Sequence, residues 1–108
     1  MKPAAQIARL KAVADLVRDA DLARLKAASH QKARTEALLA ALDPGQPPAG
    51  LDPIVAAQVV DRFGLWTTNR RILLNQQLAR DTVAWMTAKA AAQRSFGRAD
   101  VLGKLMDQ

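Results

Sequence analysis

One histidine, His30, and three closely spaced carboxylates, Asp15, Asp19 and Asp21, come nearest in type to catalytic or metal-binding groups. Their setting works against both uses. A metal site needs several ligands converging on one point, and His30 sits in the polar run Ser29-His30-Gln31-Lys32 without neighbouring carboxylates. A nucleophile needs a base and an orienting acid within hydrogen-bond reach, and no serine can be given that arrangement around His30; cysteine is absent. Asp15 and Asp19 stand four residues apart with Arg18 between them, the pattern of a solvated helical face. Pro44-Gly45 and Ala49-Gly50 belong to turns and not to a phosphate-cradling loop. These residues predict a non-enzymatic chain with no cofactor and no metal.

The richest polar patch is Trp66-Thr67-Thr68-Asn69-Arg70-Arg71. A guanidinium binds carboxylates or phosphates through a planar fork and stacks on aromatic rings. Arg70 and Arg71 therefore suit an acidic partner surface. The structural alternative for Arg70 is a pair with Asp21 across a helical seam.

These residues are held by long helices. The stretch Asp43 to Pro53 contains four of the five prolines and two of the five glycines. On either side lie runs rich in alanine, leucine, arginine and glutamine, which lose little entropy in a helix. The reading is all-α: a long antiparallel two-helix hairpin, one domain over residues 1–108. Helix one is expected at 4–42, with Pro3 in its first turn. A connector follows at 43–52. Helix two is expected at 53–96, capped by Asp52 with Pro53 as its first residue. A bend is expected at Ser95-Phe96-Gly97, then a short turn capped by Asp100 and extending to 106.

Helix one repeats apolar residues at Ile7, Leu10, Ala14, Val17, Ala28, Leu39 and Leu42, with Asp21, Arg24 and Gln31 interrupting the same face. On helix two Phe63, Leu74, Trp85 and Phe96 recur every eleven residues, widened by Val60, Leu78 and Ala92. Eleven residues make nearly three turns, so this line is the expected seam. A second line, Ile54, Leu65, Ile72, Val83, Ala90 and Val101, falls roughly opposite at about 100° per residue. One partner helix cannot cover both lines. Ile54, Leu65, Ile72 and Val83 are accordingly candidates for self-association, as a homodimer forming a four-helix bundle, or for a groove on another protein. A hairpin pivoting near residue 48 sets Leu10 opposite Met86, Val17 opposite Ala79 and Leu39 opposite Ala57. The segment 94–102 then overhangs helix one, and Arg94, Phe96, Arg98 and Leu102 become a candidate docking tail.

The formal net charge is +6, with eight Lys and Arg before the connector and eight after it. Dispersed cations suit an acidic partner more than nucleic acid, which calls for a dense basic face. A nucleic-acid-associated basic helical protein, whose affinity would fall steeply with salt, and a purely structural oligomerisation module are the alternatives. Arg9, Lys11, Asp15 and Arg18 interrupt any apolar leader, and no run approaches the roughly 20 apolar residues of a membrane span. The expected location is the cytoplasm, without membrane insertion.

The C-terminal Ala-Gln-Arg-Ser-Phe-Gly-Arg-Ala-Asp-Val-Leu, following a long basic Ala/Arg-rich hairpin, resembles the FliJ/YscO-type coiled-coil stalk proteins of flagellar and type III secretion export. The segment from Trp66 to Leu78, with Arg70-Arg71 and Asn75-Gln76-Gln77-Leu78, is similar to short members of that group. The resemblance implies an antiparallel coiled coil without catalytic residues. It implies as partners an export ATPase, an export gate or a chaperone, contacted through Arg70, Arg71, Arg94, Phe96, Arg98 and Leu102.

Overall fold

The computed structural model describes residues 2–42 and 49–108. It is a two-helix hairpin, α1 over Pro3–Ala40 and α2 over Pro53–Met106, with extents of 85 × 21 × 17 Å. At 1.5 Å per residue α2 alone accounts for about 81 Å of that length. The turn chemistry assigned to 43–48 lies outside the described residues.

Local signals set most of the helix ends. Pro3 opens α1, where its missing N–H leaves no bond unmade. The last turn tightens, with Ala41 N–H donating to Ala37 O at 3.0 Å and Leu42 N–H to Leu39 O at 3.2 Å. Gly50 takes a φ of +89°, a conformation glycine adopts without steric penalty. It leads into the Asp52 cap, whose carboxylate accepts from Ile54 N–H at 2.9 Å. At the far end, α2 runs unbroken through Ser95, Phe96 and Gly97. Asp100 is an interior residue, 3.1 Å from Lys104 one turn on, and caps nothing.

The seam follows a heptad repeat. On α1, Ile7, Ala14, Asp21, Ala28, Thr35 and Leu42 are buried or half-buried at intervals of seven, and Lys11, Arg18, Leu25, Lys32 and Leu39 follow four later. On α2 the corresponding lines are Thr67, Leu74, Asp81, Ala88, Ser95 and Leu102, and Leu78, Trp85, Ala92 and Ala99. This is the spacing of a left-handed coiled coil, and it corrects the eleven-residue seam. Leu74, Leu78, Trp85 and Ala92 lie on both lines. Phe63 is 38 % exposed, Phe96 46 % and Val60 43 %. On α1, Leu10 and Val17 are also exposed. An eleven-residue line belongs to right-handed winding and drifts off a left-handed seam within a few turns.

Polar pairs mark the register. Thr35 Oγ1 donates to Asp81 Oδ2 at 2.5 Å, and Ser95 Oγ donates to Asp21 Oδ2. Each helix carries the same order at seven-residue steps: Asp21, Ala28, Thr35, Leu42 and Asp81, Ala88, Ser95, Leu102. Antiparallel pairing of two such lines brings each carboxylate to the opposite hydroxyl and Ala28 towards Ala88 midway. A pivot at residue 48 would set Asp21 opposite Asn75; it lies against Ser95, twenty residues further along α2. Consequently α1, ending five residues past Thr35, reaches only to about Gln76, and the N-terminal part of α2 is the segment that protrudes. The C-terminal end of α2 lies along α1: a Cβ on Gly103 would meet Lys11 Cε at 3.3 Å. The expected C-terminal overhang is thereby corrected.

Both seam carboxylates titrate below the usual range. For Asp81 the Thr35 hydroxyl has the largest effect, opposed by burial and reinforced by Gln77, Gln31 and Arg80. For Asp21 it is the Ser95 hydroxyl, again opposed by burial and reinforced by Arg24 and Arg94. A carboxylate whose folded pKa is depressed stabilises the fold fully above its unfolded pKa, about 3.9, and loses that contribution as pH falls through the folded value. The denaturation midpoint, followed by circular dichroism, should therefore fall as the pH drops from about 5 to about 2, the range in which a carboxylate of this kind takes up its proton. Asparagine at both 21 and 81 should flatten that dependence; an unchanged acid profile would show that these pairs do not couple to folding.

Candidate protein-docking surfaces

The hairpin hides small and polar side chains and turns large apolar ones outward. Leu74, Ala92 and Ala99 are its buried apolar residues among those described. The second line on α2 faces solvent: Ile54 is 71 % exposed, Leu65 67 %, Val83 63 % and Ile72 51 %. Gln58, Asp61, Thr68, Gln76 and Ala79 fill the spaces between these four along the helix, so the line itself carries no cation.

Trp66, Arg70 and Arg71 lie on the protruding part of α2. Trp66 stacks on Phe63, with ring centroids 5.6 Å apart and planes 26° apart, and stays exposed. Arg70 does not pair with Asp21. That carboxylate is taken by Arg24 at 2.6 Å and by Ser95, far from Arg70 in the observed register.

The four tail residues separate onto two sides. Arg94, Arg98 and Leu102 line a groove of about 670 Å³ between the helices, with Val101 and Gly97 on the α2 wall and Leu10, Val13 and Val17 on the α1 wall. Phe96 lies on the other side under Arg18, whose guanidinium carbon is 5.8 Å from the ring centroid. Trp85 is similarly flanked by Lys32 at 5.5 Å and Lys89 at 5.0 Å. Leu10 and Val17, assigned to the seam from their apolar character, instead form a groove wall; their position becomes legible once Asp21 and Thr35 are placed on the seam. Val13 carried no signal beyond being aliphatic.

The residues nearest to chemistry are occupied or dispersed. Lys11 contacts Asp15 at 2.5 Å, and Arg18 contacts Asp15 at 3.3 Å and Asp19 at 3.2 Å. The Lys11 hydrogen bond, against the opposing effect of burial, holds Asp15 below the usual carboxylate range, helped by Arg18. His30 is exposed beside Ser29, Ala33, Arg34 and Ala37. Among the described residues no three His, Cys, Asp or Glu cluster as metal ligands, and no helix is long and apolar enough to cross a membrane. No family model, curated protein or solved structure matches the chain.

Proposed function

We propose that the chain is a non-enzymatic interaction module that pairs with a second copy through Ile54, Leu65, Ile72 and Val83 and serves as an adaptor of a flagellar or type III export apparatus. The observation carrying the interaction reading is the outward placement of four large aliphatic side chains, each more than half exposed, on a face that α1 does not cover. Exposed apolar lines of this kind are buried by association. A two-fold interface must complement itself, and a line without cations on a chain of charge +6 meets that condition. The export assignment follows from the resemblance of the Arg94–Leu102 and Trp66–Leu78 segments, and it makes an export ATPase, gate subunit or chaperone the partner to seek.

Affinity retrieval from the native cell tests the assignment, with wild-type chain and an Arg94→Glu/Phe96→Ala/Arg98→Glu variant as baits. Wild type should recover an export component that the variant loses. Recovery of no export component, or of the same set by both baits, would end that assignment.

A further inference from the structure

Resting on the interaction reading and naming one of its partners, we propose that the groove between residues 10–17 of α1 and 94–102 of α2 receives an acidic amphipathic helix from another protein. The valley between two packed helices is where the ridge of a third one fits. Leu10, Val13 and Val17 make one wall, Val101 and Leu102 the other, and Arg94 and Arg98 stand one turn apart on α2. Neither arginine makes a close ion pair with a described residue, whereas Lys11, Arg18, Arg24, Lys32 and Lys104 all do; Arg94 acts on Asp21 only at longer range. No carboxylate lines the groove, and nearby Asp21 is already held by Arg24 and Ser95. Length agrees as well: 94–102 spans about 12 Å, room for roughly two turns of a docked helix.

Gly97 adds an independent observation. Glycine is the poorest helix former after proline, and a Cβ at 97 would meet nothing within 4 Å. No contact inside the hairpin therefore requires glycine there. It leaves the outer edge of the α2 wall open to the close approach of a third backbone.

Charge selects the occupant. A second copy offers its Ile54–Val83 line, whose one carboxylate, Asp61, cannot serve two arginines, or its Trp66 face, which brings Arg62 and Arg70 towards Arg94 and Arg98. An amphipathic helix with glutamates flanking its leucines supplies both the apolar ridge and the counter-charges, and guanidinium–carboxylate contacts can be bidentate.

The test is calorimetric titration of the full chain with two synthetic helical peptides of about 14 residues, roughly four turns. They share leucine positions and differ in carrying glutamate or lysine. The glutamate peptide should bind, more weakly at high salt, and the lysine peptide should not. Arg94→Glu/Arg98→Glu should lose about a hundredfold in affinity, roughly tenfold for each contact. Gly97→Leu should lose at least about tenfold by crowding the α2 wall, while its helicity and melting temperature hold or rise. Lys26→Glu/Arg62→Glu, away from the groove, should bind within about twofold of wild type. Equal binding of both peptides, or affinity unchanged in the Arg94/Arg98 or Gly97 variant, overturns the proposal. So does loss of self-association in Gly97→Leu, which would assign the groove to a second copy. If the peptide fails while native retrieval still recovers an export component, the interaction reading stands and this inference alone falls.

Discussion

Thr35→Val should lower the stability of the hairpin by about 1–3 kcal/mol, because it strips a buried carboxylate of its strongest donor. Asp81 is 5 % exposed, and Gln77 also donates to it, at 2.8 Å. Replacing both partners, Thr35→Val with Asp81→Leu, should restore stability to the wild-type level or above, since a packed apolar pair has no desolvation penalty to overcome. Polar residues on a coiled-coil seam hold register more than they add stability, so register should loosen even as stability returns. The chain contains no cysteine, which makes an Ala28→Cys/Ala88→Cys pair a clean reporter. It should oxidise to a disulfide nearly completely in the wild-type background and less completely in the apolar double variant. A double variant no more stable than Thr35→Val would show that the pair contributes net stability. Undiminished cross-linking would show that the register is held elsewhere.

Leu65→Asp/Ile72→Asp should abolish association while leaving the hairpin folded. Both side chains are more than half exposed, and neither lies on the heptad seam. Burying two carboxylates in an apolar interface without partners would cost several kcal/mol, so affinity should fall by at least about a thousandfold. Helicity of the dissociated chain should match that of wild type, and its thermal midpoint should match that of wild type diluted until it dissociates. A large loss of helicity would mean that the line supports the fold itself.

The elements were legible in the sequence because their signals are local. Pro3, the proline-rich connector and Asp52-Pro53 each act within one turn, and the helix boundaries lie within two residues of those expected, apart from the C-terminal end of α2. That end was obscured by Gly97, which reads as a break yet is carried by the helix on either side of it. The outward line of Ile54, Leu65, Ile72 and Val83 was also legible, since a wide angular separation between two apolar lines survives modest errors in helical period. Register was not legible. It depends on Asp21 meeting Ser95 and Asp81 meeting Thr35, long-range pairs of residues that an apolar count treats as interruptions. Phe63 and Phe96 strengthened the wrong line because side-chain size says nothing about period. With the register displaced, the protruding end changed from the C-terminal tail to the start of α2, and Arg94, Arg98 and Leu102 moved from a free tail to a groove wall.

Sedimentation velocity of the chain, isolated under native conditions from its own cells, tests most directly whether the outward aliphatic line is an association surface. The wild-type chain should sediment as a particle of at least twice its 11.7 kDa. The Leu65→Asp/Ile72→Asp variant, isolated in the same way, should sediment as an extended 11.7 kDa rod. A wild-type chain that sediments as that same monomeric rod would contradict the account, and so would a variant that retains the larger particle.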